Sequence, residues 1–230
     1  MPADRLSRIL AEVSAEGDGG WSSKRLCEAT RDIVDVSGAG VMLMSGDLPT
    51  GSLCATNDVS YRIEELQYTL GEGPCVDAHH QSRVVLESDL ARPGTPRWLA
   101  FTHQAVDAGV RAVFAFPLRV GAARLGVLDL YRDQPGPLSD DQHADAMAMA
   151  DVIANWIIDV QAKAAPGSVA DELEHNADFY YVVHNAAGAV SVQLGISVTE
   201  ALIQLRAHAF SHDRPLRDVA EDVMARRLEF

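Results

Sequence analysis

Apolar residues recur along this chain with two different periods, and the elements follow from where one period gives way to the other. Residues 3–15 and 22–36 read as helices, the second carrying Leu26, Ile33 and Val34, with Gly17–Gly20 as the break between them. Strands follow over Gly40–Met44 and Ser52–Thr56, joined by the turn-forming segment Gly46–Gly51. Asp58 is placed to cap a helix through Leu66, the Gly73–Pro74 turn opens a short helix, and Val84–Leu86 forms a short strand. Thr95 and Pro96 predict a further helix start, with proline in the first turn and the helix running through Ala108. The clearest strand signal is Val110–Leu118 followed by Leu125–Tyr131, with Gly121–Ala122 spaced for a two-residue hairpin turn. With Val120 opposite Ala123, one face of that hairpin holds Phe114, Phe116, Leu118, Leu125, Val127, Asp129 and Tyr131. Val113, Ala115, Leu128 and Leu130 share the other face only if a bulge or twist brings them round. Ser139 to Gln142 form a capping box at the start of a long helix that reaches about Lys163.

From residue 171 onward the period is helical throughout. Gly195 closes one helix and Ser197 opens the next, with Glu200 three residues on to complete a second capping box. Val198, Ala201, Leu202, Leu205 and Ala209 fall on one face of that helix. Pro215 breaks it and suits the first turn of another, whose face is Leu216, Val219, Ala220 and Val223. The pattern predicts three helices, two of them short, packed through small apolar stripes.

Strands alternating with helices and flanked by helices at both ends predict an α+β fold on an antiparallel sheet over residues 1–162. An Ala-Pro-Gly linker at 163–170 and an all-α three-helix domain at 171–230 complete the organisation. The run Gly71-Glu72-Gly73-Pro74-Cys75-Val76-Asp77-Ala78, with Phe116-Pro117-Leu118 and Gly126-Val127-Leu128 on the paired strands, resembles a GAF domain, a sensory module of bacterial regulators. The C-terminal pattern resembles an ANTAR domain. Its blocks are Ala186 and Gly188 as A-x-G, Gly195 to Ala201 as G-x-S-x-x-E-A, then Leu205-Arg206, and Leu216 to Ala220 as L-x-D-V-A. A sensor followed by ANTAR is a recurring arrangement in such regulators. The resemblance implies a protein that senses a signal, binds paired RNA hairpins in nascent transcripts and prevents transcription termination.

Charge distribution constrains that implication. The formal net charge is −14, which opposes phosphate binding, and the region from residue 167 carries ten acids against five arginines. All five arginines (Arg206, Arg214, Arg217, Arg226, Arg227) lie in the final 25 residues, so an RNA surface has to be a local patch there. Three widely spaced cysteines (Cys27, Cys54, Cys75) suit reduced thiols better than a disulfide framework or a zinc site. No apolar run approaches a membrane span and the N-terminus lacks a signal-peptide core, so the expected location is cytoplasmic with no membrane partner. The helices at 3–15, 22–36 and 139–163, with Met147, Ile153, Trp156 and Ile157 on the last, carry more apolar surface than one small sheet covers, which predicts a homodimer.

Candidate chemistry divides between the two domains. Phe114, Phe116, Val127, Asp129 and Tyr131 are the expected lining of a small-molecule pocket over the sheet. Asp129, mid-strand among apolar residues, is either a polar anchor in that pocket or a carboxylate that is partly exposed or paired with an arginine such as Arg111 or Arg132. The residues specify neither a ligand nor a cofactor. His79 and His80 have no second cluster of ligands at metal-binding spacing, so no metal site is expected. A GAF-like family that reduces free methionine sulfoxide has a Gly-x-Gly-x-Cys turn similar to Gly71–Cys75, but its nucleophile lies downstream. No cysteine follows Cys75 here, and no catalytic residue is assigned. In the helical domain the resemblance points to Tyr180, Asn185, Ala187, Arg206, Arg214 and Arg217 as RNA-facing positions. Ala187 stands where the family pattern has lysine and Tyr180 where it often has arginine; Tyr180 or Tyr181 suits either stacking on an unpaired base or a plain core role. The alternative is that the module has lost RNA binding and the chain is a dimerising, ligand- or partner-binding module.

Overall fold

Strand β5 (Ala123–Arg132) is paired on both sides, and its last six strand positions before Arg132 alternate between two buried faces. It lies between β1 (Gly38–Ser45) and β4 (Ala112–Val120). β2 (Leu48–Ala55) and β3 (Val85–Glu87) form the edges, giving an antiparallel sheet of order β2-β1-β5-β4-β3. In this computed structural model the described residues are 2–14, 21–45, 48–92, 97–165, 170, 173, 177–212 and 214–230. The chain divides into two units, residues 1–68 with 72–175 and residues 176–230 with 69–71, and the main boundary falls a few residues beyond the expected linker at 163–170.

Helices α1 (Pro2–Ser14), α2 (Ser23–Val34) and α6 (Asp140–Gln161) cover one face of the sheet. Helices α3 (Asp58–Leu70) and α4 (Pro74–Gln81) cover the other, and α5 (Leu99–Asp107) follows β3. Most element boundaries agree with the periodicity to within a few residues. The cap of α3 is Asn57 rather than Asp58: its Oδ1 accepts from the Ser60 amide at 2.9 Å, and Asp58 is already the first helical residue. Ser139 caps α6 with both halves of the capping box in place. The expected start at Thr95–Pro96 lies outside the described residues, and α5 begins at Leu99.

The hairpin register decides which residues share a face. Leu118 pairs with Gly126 but Arg119 with Arg124, so Leu125 is the extra residue of a β-bulge. Beyond it Phe114 faces Leu130, Phe116 faces Leu128, and Ala115 faces Asp129. The expected face therefore splits in two. Phe114, Phe116 and Leu118 join Leu128, Leu130, Ala39 and Val41 against Leu26, Met149, Ile153 and Trp156 of the helices. Val127, Asp129 and Tyr131 point to the opposite side, beneath α3 and α4. Burying each large side chain of the first set stabilises the fold by about 1.5–3 kcal/mol.

That apolar layer takes in part of the surface on which a homodimer was expected. Ile153, Trp156 and Ile157 are 1%, 7% and 5% exposed within the chain itself, because α1 and α2 already cover them. Met147 and Ile158 of α6 and Leu6 of α1 stay open. Cys27 on α2 and Cys54 on β2 form a disulfide, which corrects the expectation of three reduced thiols; Cys75 is free and buried. Two cysteines 27 residues apart meet because α2 packs on β2, a tertiary contact that spacing does not announce.

The second unit consists of α7 (Ala177–Leu194), α8 (Val198–Ser211) and α9 (Leu216–Met224), each packed on the other two. Its contacts use small side chains: Val183, Ala186, Ala187 and Val190 on α7, then Ala201, Leu202, Leu205 and Ala209 on α8. Leu216, Val219, Ala220 and Val223 of α9 complete the core. Ser197 Oγ accepts from the Glu200 amide at 3.2 Å while Glu200 Oε2 accepts from the Ser197 amide at 2.9 Å, closing the capping box. Val198, expected on the apolar face, is exposed instead. No single described helix is long and apolar enough to cross a membrane.

The centre of the sheet is tight at Gly126, where an added Cβ would run into the Met42 carbonyl of β1. Backbone on the adjacent strand cannot yield as a side chain does. Gly126→Ala is therefore expected to destabilise the chain by at least about 2 kcal/mol in urea unfolding, with native-like circular dichroism below the transition. A loss under about 0.5 kcal/mol would show that β1 and β5 are not in this register.

Candidate functional site

Beneath α3 and α4 the second face of the sheet carries a nest of buried polar groups. Asp129 is held mid-strand between two small partners, Gly40 on β1 and Ala115 on β4, which leave room above its carboxylate. Glu64 of α3 fills that room. A Cβ at Gly40 would come within 2.6 Å of Glu64 Oε1, so a larger residue at this point of β1 would expel the carboxyl. Glu64, Gln67 and Asp129 are 1%, 1% and 4% exposed. Gln67 Nε2 donates to Asp129 Oδ2 at 3.4 Å, and the Cys75 amide donates to Gln67 Oε1 at 2.7 Å.

The glycine-rich turn serves this nest and the start of α5. Gly73, at φ +135°, leaves space for Gln67, whose Oε1 would lie 2.6 Å from a Cβ there. Pro74 takes the first turn of α4, where its missing N–H loses no bond. Glu72 Oε1 accepts the Phe101 amide at 2.9 Å in the first turn of α5. Asp77 Oδ2 accepts from Trp98 Nε1 at 3.1 Å, and the Arg97 guanidinium lies 4.2 Å from the Trp98 ring. Each polar residue of the motif has a structural partner.

Electrostatically the nest is a carboxyl pair without a cation. Glu64 Oε2 and Asp129 Oδ1 are both buried and lack a conventional donor. One proton held between them satisfies both oxygens. Burial pushes Glu64 well above the usual carboxylate range, with the Asp129 charge adding to the effect. Burial also raises Asp129 to about 7, against hydrogen bonds from Cys75, Glu64 and Gln67 that pull it down. The Cys75 thiol is pushed up by burial and then by the two carboxyls, the reverse of what a reactive thiolate needs. The two arginines considered as partners for Asp129 do not serve it. Arg111 binds Asp89 at 3.0 Å, and Arg132 donates to the Pro137 carbonyl at 3.1 Å.

The expected pocket is absent as drawn. Phe114 and Phe116 belong to the apolar layer on the other side; the Phe116 ring lies 5.4 Å from His143 of α6. Val127 is buried, and Tyr131 donates its hydroxyl to Asn57 Oδ1 at 2.9 Å. The space beside Asp129 holds no water-sized void. Glu64 and Gln67 were missed by sequence reasoning, yet a signal existed. Ser60, Ile63, Glu64, Gln67 and Tyr68 fall on one helical stripe, so the two polar residues stand at core positions. Among the described residues no group of three or more acidic, histidine or cysteine side chains could hold a metal ion.

In the helical unit Tyr180 lies on α7 but its side chain is outside the described set; Tyr181 is exposed and Asn185 half-buried. Ala187 is fully buried, which corrects its assignment as an RNA-facing position: a lysine there would enter the helical core. Arg214 and Arg227 converge on Asp222, at 2.6 and 2.7 Å, and lower its carboxyl. Arg217 pairs with Glu221 at 2.9 Å, and Arg206 is half-buried.

The GAF domain family model matches residues 23–157, more than half of the chain. The chain belongs to the GAF domain family. A likeness to solved structures agrees with the fold. The GAF domain of a phosphoenolpyruvate-protein phosphotransferase from Coxiella burnetii is 13% identical, with 70% of this chain and 95% of that chain covered and a TM-score of 0.51. The corresponding Acinetobacter GAF domain is 15% identical over 71% of this chain and 96% of its own, with a TM-score of 0.48. A type II free methionine-R-sulfoxide reductase from Thermoplasma acidophilum is also similar, at 15% identity, 67% and 92% coverage and a TM-score of 0.41. No curated protein matches the chain. The GAF assignment makes the first unit a sensor module and accounts for its antiparallel sheet between two helical layers.

The carboxyl pair has a measurable signature. Folded, Asp129 keeps its proton up to about pH 7, whereas the unfolded chain releases it near the ordinary value of 3.8. The stability this group contributes is complete below about pH 4 and is lost as pH rises towards 7, by up to about 1.4 kcal/mol per pH unit. Asp129→Asn removes Asp129's own share of that dependence and leaves the share that burial gives Glu64. In denaturant unfolding at pH 5 and pH 8, the variant is expected to gain on the wild type by more than about 1 kcal/mol at the higher pH. An unchanged difference at the two pH values would mean that the folded chain holds no proton there.

Proposed function

We propose that the chain is a signal-responsive regulator in which the GAF domain receives the signal and the ANTAR-like helical module binds paired hairpins in nascent RNA to control transcription antitermination. The observation that carries this reading is the build of α8. The Ser197–Glu200 box starts it, and its Ala201, Leu205 and Ala209 stripe packs on α7 and α9. The blocks behind the resemblance thus occupy structural positions of one three-helix module: Ala186 in the core of α7, Gly195 at its end with φ +67°, and Leu216 to Ala220 on α9. A cytoplasmic location follows from this role. No catalytic step is part of the proposal, since the Cys75 thiol is buried and held protonated by burial and the two neighbouring carboxyls. Nor is a small-molecule input proposed at Asp129, where the chain's own side chains fill the face.

A specific observation favours the second reading, a partner-binding module without RNA affinity. Arg214, Arg217 and Arg227 are each paired to an acid of α9, which reduces the charge they offer to phosphate. Ile203 and Phe210, seven residues apart on α8, are 55% and 69% exposed.

The two readings separate in one titration. With a fluorescent tandem-hairpin RNA at about 50 mM salt, the regulator is expected to bind weakly and to lose affinity steeply as salt rises. Arg206→Ala and Arg217→Ala each weaken binding several-fold, and each lowers the salt slope by about one. No binding by the wild type at low salt would remove the RNA reading and leave the partner-binding one.

A further inference from the structure

A concavity of the GAF unit lies on its outer helical layer rather than over the sheet. A groove of about 1330 Å³ runs between α1 and α6. Its floor is apolar: Leu6 and Met147 are each 42% exposed beside Leu10, Trp21 and the edge of Trp156. Its walls are acidic. Arg5 and Arg8 are consumed within the fold, Arg5 by Asp141 at 2.7 Å and Asp145 at 2.8 Å, and Arg8 by Asp145 at 2.7 Å. Asp4 on one wall and Asp151 and Asp159 on the other have no cationic partner among the described residues. Asp151, Asn155 and Asp159 stand four residues apart and so form a column about 12 Å long on one side of α6.

We propose that this groove docks a basic amphipathic helix of a partner protein, whose apolar residues cover Leu6 and Met147 while lysines or arginines at four-residue spacing meet the aspartate column. Charge decides the occupant. A second copy packed α6 against α6 either brings the two aspartate columns to the same side of the seam, when antiparallel, or leaves each column without a cation to meet it, when parallel, in a molecule whose net charge is already −14. A basic helix gains at the same points, and the acidic field steers it in. Helix-in-groove recognition also matches an elongated groove with an apolar floor better than a flat sheet-edge contact does.

The test uses the full chain and two synthetic 18-residue amphipathic peptides with identical leucine positions, one bearing lysine and the other glutamate at the polar positions. In calorimetric titrations the lysine peptide is expected to bind and the glutamate peptide not. Asp151→Lys combined with Asp159→Lys weakens the lysine peptide at least about tenfold and confers binding of the glutamate peptide. A control with the same charge change elsewhere, Asp32→Lys with Asp107→Lys, leaves the affinity within about twofold. Asp4→Lys, on the other helix, weakens the lysine peptide in the same direction. All five aspartates are exposed, so these variants keep the fold, which circular dichroism verifies. Equal losses in the groove and control variants overturn the proposal, as does equal binding of the two peptides. It also fails if the chain sediments as a dimer that Met147→Asp dissociates, since the groove is then covered by a second copy.

Discussion

The pairing of β5 on both edges is the constraint on which the rest of this GAF domain depends. A strand hydrogen-bonded to two neighbours and covered on both faces sends alternate residues into two different environments. Leu128 and Leu130 enter the apolar layer of α1, α2 and α6; Val127, Asp129 and Tyr131 lie under α3 and α4. The bulge at Leu125 sets the phase of β4 against this strand, so a single extra residue determines that Phe114 and Phe116 face α6 and not Asp129. Gly126 and Gly40 keep the neighbouring strand and helix close enough for that arrangement to hold.

With the sheet phased in this way, the two sides of the domain have opposite characters. One is a packed hydrocarbon layer, closed by a long capped helix. The other encloses acid in a space too small for water, so that burial governs the ionisation of Glu64, Asp129 and Cys75 together. A carboxyl pair of this kind is coupled to the position of α3, because Glu64 and Gln67 are both carried by that helix. At the surface, acid is gathered in the aspartate column of α6.

The helical module follows a different economy of parts. Alanine and valine dominate its contacts, allowing three short helices to approach closely, and the capping box supplies amide partners that a fourteen-residue helix would otherwise lack. Its arginines sit near acids of the same chain, and Asp222 gathers two of them.

Local rules carried far in this sequence. The capping boxes at Ser139 and Ser197, the Gly121–Ala122 hairpin, the three C-terminal helices and the α+β character all follow from spacing within a few residues, and all are present. Family motifs made the GAF fold legible for the same reason, since they mark turns and strand pairs. What the sequence could not settle depends on contacts between distant residues. Asn57 outcompetes Asp58 as a cap only because the chain leaving β2 presents it to the Ser60 amide. Cys27 meets Cys54 because α2 lies on β2. The pocket residues divided because one bulge reverses the face of every residue beyond it, and a period-two pattern reads the same in either phase. Ala187 turned inward because the packing of three helices, not the spacing of a motif, chooses which side of α7 is inside. Glu64 and Gln67 were visible as polar residues on an apolar stripe, but only the tertiary structure supplied the carboxylate they face.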